Sequence, residues 1–292
     1  MIRSMTGFGH GECQQGTRKF TVEIRSVNHR YLDITVKLPR RYYSLEANLR
    51  SVLKEYVNRG KTDVYVTFED TEGAASSIRY DEGAARAYLE HYKSMCETLG
   101  VENDVTASVL GARPEVFVQE NEQEDSEAAW PAIEEALRAA CRQFVQARER
   151  EGEHLKNDLL EKLDGMVTLV DDVEERYPKI IEEYRQRLTD KIHETLGDTS
   201  IDENRINTEI VIFSDKICTD EETVRLRSHV LAMKNELTGG GAIGRKLDFI
   251  AQEMNREANT ILSKANDLRT SETGILLKTE IEKIREQVQN IE

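Results

Sequence analysis

Between residues 245 and 264, side chains able to do chemistry recur at steps of three and four. Arg245, Asp248, Gln252, Arg256, Asn259 and Ser263 form one row, and Glu253, Glu257, Thr260 and Lys264 form the next. In a helix, residues so spaced share a face. The cations can bind anions, the amides can donate and accept, and the carboxylates can hold a hard cation or move a proton. Asn, Thr, Ser and Asp are poor helix formers, each costing a few tenths of a kcal/mol (~0.3) against Lys or Glu. A helix that carries several of them needs their short polar groups, either for a site or for hydrogen bonds to another helix. The opposite row, Leu247, Ile250, Met254, Ala258, Ile261, Ala265 and Leu268, reads as core.

A second set lies upstream. Asp215, Glu222 and His229 are each seven residues apart, so on one helix they would stand about 10.5 Å from neighbour to neighbour. That is too far for one metal ion to bridge unaided. A facing helix that supplies Asp248, Glu253 or Glu257 would complete a site for Mg²⁺ or Mn²⁺, which suit carboxylates with one His better than Zn²⁺ does. The alternative is an ordinary surface ion-pair set, Glu222–Arg225–His229. His10, His29 and His229 are the candidates for a general base. No HExxH or GxSxG motif occurs and no Cys has a convincing partner, so the sequence offers neither zinc-protease nor serine or cysteine nucleophile chemistry.

The chain of 292 residues is 38% hydrophobic, enough to bury a core, and its four prolines and 33% charged residues favour long helices. Alternating stretches "KFTVEIRSVN", "YLDITVKL" and "TDVYVTFE" predict strands in residues 1–70. "NHR" at 28–30 predicts a hairpin turn between the first two. A helix is expected from a Ser44 cap, with Leu45, Leu49, Val52, Leu53 and Tyr56 on one face and Gly60 at its C′ position. A second helix is expected near 81–99, ending at Gly100, and a polar loop over 103–126. A long helical run from Trp130 to Tyr177 should break at Pro178, giving two antiparallel arms with 179–196 as the second. The C-terminal part should be three helices, with breaks at "GGGAIG" (239–244) and "TSETG" (270–274). The last should bury Leu277, Ile281, Ile284, Val288 and Ile291, with Lys278, Glu282, Arg285, Gln289 and Glu292 as its polar row and the final carboxylate held in place. The fold class is therefore α+β: a sheet-and-helix domain at 1–127, long helical arms at 128–197 and an all-helical domain at 198–292.

The net charge is −15, yet residues 1–61 carry a local excess of +7, leaving −22 on the rest. Such a chain repels polyanions overall and can still offer one a local basic surface. No apolar h-region opens the sequence and no run of 18 apolar residues occurs, so neither a signal peptide nor a membrane span is expected. Four scattered cysteines read as free thiols of a cytoplasmic protein.

"MIRSMTGFG" at the start, "EIRSVNHRYLDI" at 23–34, "RGK" at 59–61, "GRKLDFIAQEMNREANTILSK" at 244–264 and "IEKIREQVQNIE" at 281–292 together resemble the YicC family of bacterial proteins. The resemblance spans the whole length in the right order. It implies an endoribonuclease that cleaves RNA with a divalent metal ion, Mn²⁺ or Mg²⁺, and assembles as a hexameric ring that opens to admit RNA. Carried onto this sequence, it implies a catalytic set of His229, Glu253, Arg256 and Glu257. Metal ligands would come from Glu209, Glu222, His229, Asp248, Glu253 and Glu257. RNA contacts would come from Arg25, Asn28, Arg30, Arg59, Lys61, Arg245, Gln252, Asn259 and Lys264, with stacking on Phe8 or Tyr31. A non-catalytic RNA-binding ring serving another ribonuclease is the alternative.

Overall fold

The computed structural model describes residues 1–70, 77–120, 126–196 and 203–292. Four strands, β1 (Gly7–Gln15), β2 (Arg18–Val27), β3 (Leu32–Lys37) and β4 (Gly60–Asp70), form one sheet in the order β1-β2-β4-β3. Gly16, at φ 63°, closes the β1–β2 turn. The hairpin expected at 28–30 does not form: β3 runs parallel to β4, and β4 lies between β2 and β3. A parallel pair needs a crossover, and a 3-10 turn at Arg40–Leu45 with helix α1 (Glu46–Leu53) supplies it. Ser44 falls inside that turn, and the residue at the N-cap of α1 is Leu45 instead. Gly60, at φ 102°, starts β4 instead of ending α1. The expected apolar face of α1 is buried at Leu45, Leu49, Val52 and Leu53.

The first strand had no apolar alternation to betray it, because its inner face is glycine. A Cβ on Gly9 would lie 2.2 Å from the Ala140 carbonyl oxygen, and one on Gly11 would lie 2.2 Å from that of Ala136. Bare backbone lets the long helix α4 (Ser126–Leu196) lie directly on the strand.

Helix α4 runs unbroken for 71 residues, Pro178 included, a length of about 105 Å at 1.5 Å per residue. The expected antiparallel arms joined at Pro178 are therefore replaced by a single rod. Proline forfeits one intrahelical hydrogen bond, and here tertiary packing holds the helix through it. Tyr177 and Tyr184 meet Ser214 and Glu209 of α5 (Glu203–Ile217), and Tyr184 stacks on Phe213 at 3.7 Å. The second antiparallel arm is thus α5. Its contact cluster is small, with Ile180, Phe213 and Ile217 buried.

Helix α4 belongs to two larger cores. Ile133, Leu137, Ala140 and Phe144 pack with Phe20, Val22 and Ile24 of the sheet. Leu159, Leu163, Met166 and Val170 pack with α6 (Asp220–Gly239), α7 (Gly244–Lys264) and α8 (Leu268–Val288). Residues 77–120 form a peripheral unit of hairpin β5 (Ser77–Tyr80)–β6 (Phe117–Glu120) with α2 (Glu82–Leu99) and α3 (Ala107–Gly111). Gly100 ends α2, as expected, and Asp81 caps its start by accepting from the Ala84 N–H at 2.9 Å. The stretch expected as a polar loop, 103–126, contains α3 and β6, and its residues 121–125 lie outside the described ones.

The C-terminal part has four helices in place of three. The expected helix across 205–236 breaks at Cys218–Thr219, so Asp215 and Glu222 stand on different helices. "TSETG" lies within α8, whose start is fixed by Asp267: its carboxylate accepts from the Thr270 backbone N–H at 3.2 Å and from Arg176 at 2.8 Å. Gly274 is there for packing, since a Cβ would stand 3.1 Å from the Leu262 side chain. With α7 ended at Lys264, Leu268 is 75% exposed instead of core. The other residues expected on the α7 core face and the α8 seam are buried, except for Ala265, which is half-buried.

Burial pushes the Asp267 carboxyl up, but hydrogen bonds from Thr270 and Arg176 outweigh it and hold the group below its ordinary 3.8. A depressed folded-state value stabilises above the unfolded one and is lost as pH falls through it. Asp267→Ala should therefore cost about 1–2 kcal/mol at pH 7. That difference from the parent should shrink as the pH drops below 3.8, as measured by urea unfolding at several pH values. The four cysteines are unpaired, and burial pushes the Cys141 thiol up to about 12.

The two larger cores meet at a latch. Segment 2–5 runs between α4 and the last residues of the chain: Ser4 bridges Ile291, Met5 N–H donates to the Asn290 carbonyl at 2.8 Å, and Ser4 N–H to that of Arg148 at 3.0 Å. Arg148, only 1% exposed, donates to the Ser4 carbonyl at 2.5 Å, pairs with the Glu292 carboxylate and lies over Phe144. Glu292, expected to be held, is held by this pair and by its N–H to the Arg3 carbonyl at 2.9 Å.

Candidate nucleic-acid interface

A cleft opens where the ends of elements from both halves face each other. The sheet side contributes the segment after β2 (Asn28, Arg30, Tyr31) and Arg59, just before β4. The helical side contributes the start of α7 (Gly244, Arg245, Asp248) and the end of α8 (Arg285, Gln289). This lobe encloses about 640 Å³. An adjoining lobe of about 520 Å³ shares Arg59, Gly244 and Arg245 and is completed by Met1, Arg3, Asn58, Gly241, Ala242 and Glu292. Gly244 permits the junction, because a Cβ there would stand 2.2 Å from the Ile291 carbonyl oxygen.

The electrostatics of the cleft are unusual for so acidic a chain. Among the described residues, Arg30, Arg59 and Arg245 have no carboxylate partner. The Arg59 Nε is buried with no hydrogen-bond acceptor. Arg30 lies over the Tyr31 ring at 5.4 Å, and Tyr31 is 63% exposed. Among the described residues Asp248 is the one carboxylate lining the larger lobe. It accepts from Gln252 at 2.9 Å and stands 3.5 Å from Arg285. Unpaired guanidiniums facing a helix N-terminus, as Arg30 and Arg59 face the start of α7, attract anions.

Of the residues implied for RNA contact, Asn28, Arg30, Arg59 and Arg245 line the cleft. Arg25 and Lys61 do not. Both are exposed on the face of the sheet away from α4, where Arg25 pairs with Glu23 at 3.1 Å and lies over Phe8 at 5.7 Å. Gln252 and Asn259 sit farther along α7, in a polar chain on the α7–α8 surface. Asn259 donates to Asn255 at 3.3 Å and Asn255 to Glu282 at 2.9 Å. Lys264 ends α7, about 28 Å from Arg245 by helical rise, and pairs with Glu222 at 2.7 Å.

The six residues implied as metal ligands do not form one centre. Among the described residues no group of three or more His, Cys, Asp or Glu side chains is placed to hold a metal ion. The reason is topological and electrostatic. Glu209 is on α5 beside Tyr184, and the break after Ile217 removes it from the α6 face. The other carboxylates each face a cation: Glu222 Lys264, Asp248 Arg285, Glu253 Arg256 at 2.5 Å, and Glu257 Arg225 at 4.0 Å. The implied catalytic set thus divides into ion pairs along the α6–α7 surface, with half-buried His229 on α6 and Arg256 about 16 Å along α7 from Arg245.

Arg285, Gln289 and Asn58 were not among the implied contacts. Arg285 and Gln289 already showed in the sequence as a polar row, but only the antiparallel pairing of α8 with α7 turns that row toward Asp248. Asn58 immediately precedes the "RGK" motif, which was its one signal.

Among the described residues no helix is long and apolar enough to cross a membrane. Two family models match: "Endoribonuclease YicC-like, N-terminal region" over residues 2–157 and "Endoribonuclease YicC-like, C-terminal" over 173–292. A protein of Clostridioides difficile named "Probable endoribonuclease YicC" is 37% identical over 293 residues, covering 100% of both chains. One of the same name from Haemophilus influenzae is 32% identical over 292 residues, again covering 100% of both. The cleft is thus built almost wholly from the segments that carried the resemblance, and the chain belongs to the YicC-like endoribonuclease family.

Proposed function

We propose that this chain is an endoribonuclease that takes an RNA strand into the cleft between its sheet and helical halves. The observation that carries this reading is the convergence of Arg30, Arg59 and Arg245, unpaired, in a chain of net charge −15. Arg59 and Arg245 grip a backbone phosphate. Their donors offset the charge that grows on its oxygens during cleavage. Tyr31 offers a face for stacking a base, and Arg285 and Gln252 hold Asp248 in place beside the phosphate path.

The six implied ligands are spread over α5, α6 and α7 and are not gathered round one ion. Asp248 would hold a Mg²⁺ or Mn²⁺ ion only by giving up its pairing with Arg285, with phosphate oxygens and water as the other ligands. Bound there, the ion would supply an activated water and offset phosphate charge. A hexameric ring, as the resemblance implies, would bring several such clefts onto one RNA.

The test is digestion of an end-labelled single-stranded RNA with Mn²⁺ present and after EDTA. Cleavage is expected in the first case, and Asp248→Asn should slow it about a hundredfold or more while RNA binding is kept. Full activity in that variant moves the chemistry out of the cleft. The pairing of Glu222, Asp248, Glu253 and Glu257 with cations favours a second reading, a binding ring that serves another ribonuclease. It would give tight RNA binding and no product at any metal concentration.

A further inference from the structure

The two lobes of the cleft differ in the charge they leave available. In the larger lobe Arg30 is unpaired. In the smaller one the outlying side-chain charges are already spent: Arg3 pairs with Glu149 at 2.8 Å and Glu292 with Arg148. What remains there is Met1, whose amine stands beside Gly240, the exposed Asn58 amide, and a wall of two small residues, Gly241 and Ala242, around a space of about 520 Å³. Gly240 and Gly241, at φ 70° and 94°, take a backbone that side chains disfavour, so the wall is kept bare by its conformation. A strand threaded between Arg59 and Arg245 has a phosphate at the junction. Its next phosphates go toward the unpaired Arg30, and a neutral group goes the other way.

We propose that the smaller lobe is a nucleoside pocket. Arg59 and Arg245 hold one backbone phosphate, and the adjoining nucleoside is drawn out of the strand into the space between Asn58 and Ala242. The volume is in the range of small-ligand clefts, and one amide supplies both the donor and the acceptor a base edge needs. Unstacked bases are what proteins read in RNA, so the site takes RNA with an unpaired nucleotide at that step and refuses continuous duplex. This inference rests on the cleft reading above and can fail without it.

Ala242→Trp in the full-length chain fills the lobe and leaves both arginines in place. The probes are a 12-nucleotide single-stranded RNA and inorganic polyphosphate, which has the charge and no nucleoside, each followed by fluorescence anisotropy. The variant should bind the RNA at least tenfold more weakly and polyphosphate as the parent does, the second result also certifying the fold. Asn58→Ala should weaken RNA alone, in the same direction and by less. Unchanged RNA binding in Ala242→Trp overturns the pocket, and so does an equal loss for both probes, since the lobe then only borders the phosphate path. Arg59→Ala with Arg245→Ala should lose both probes. If that variant keeps both, the cleft reading itself falls.

Discussion

Replacing Arg59 and Arg245 together by alanine is expected to weaken RNA binding more than a hundredfold at 0.15 M salt. On the proposed function each guanidinium would meet phosphate without a competing carboxylate, and a hydrogen bond to a charged group contributes about 1.5–3 kcal/mol. Two such losses give about 3 kcal/mol or more. Charge loss also has a signature that misfolding lacks. Each phosphate contact on a single strand contributes about 0.7 to the slope of log affinity against log salt. The double variant should bind with a slope shallower by about 1.4 and show the loss equally across RNA sequences. Arg25→Ala with Lys61→Ala makes the comparison, because these residues lie on the open sheet face. A salt titration that finds the two pairs equivalent would place the RNA on the sheet instead of in the cleft.

Arg148→Met should be the most destabilising single change of a charged residue, costing about 3–5 kcal/mol. The guanidinium is buried, and its removal leaves the Glu292 carboxylate and the Ser4 carbonyl without their donor. A methionine of similar length refills most of the space over Phe144, so the loss reports charge and hydrogen bonding more than cavity. The double variant Arg148→Met with Glu292→Met should recover part of that cost, because no orphaned charge is left. Chemical denaturation of the single and double variants measures both effects. The latch also ties the two cores together, so the single variant should unfold in two transitions where the parent unfolds in one. Equal stability of Arg148→Met and the parent would mean that the pair is dispensable.

Much of the fold was legible where side chains keep a period. The α7 core face from Leu247 to Ile261, the α8 seam from Leu277 to Ile291 and the ends of α2 all lie where periodicity and capping put them. Three features were not legible. β1 hides its buried face behind glycines, so alternation has nothing to count. The parallel pairing of β3 with β4 depends on a crossover that local turn chemistry cannot see. Pro178 reads as a breaker because its cost is local, whereas what holds α4 straight through it is contact with α5. At the site, motif residues at four distant positions, 28–30, 59, 245 and 285–289, are neighbours only once the sheet and the last two helices are docked. Of the implied metal ligands, Glu209 lies apart because the helix breaks at Cys218, and Glu222, Asp248, Glu253 and Glu257 each meet a cation that only the packed structure brings to them.

The continuous α4 rod has a consequence for what lengths this chain tolerates. Phe144 belongs to one core and Leu159 to the other, with uninterrupted helix between. One residue added or removed in that interval would swing one half by about 100° relative to the other and shift it about 1.5 Å. Arg59 and Arg245 would then face in different directions. Insertions of seven residues nearly restore the phase, but they separate the halves by about 10.5 Å, beyond the reach of the segment at 2–5 that must touch both. The spacing between those two anchor points is therefore fixed to the residue, like the tooth count of a gear, while the sequence filling it is free to change.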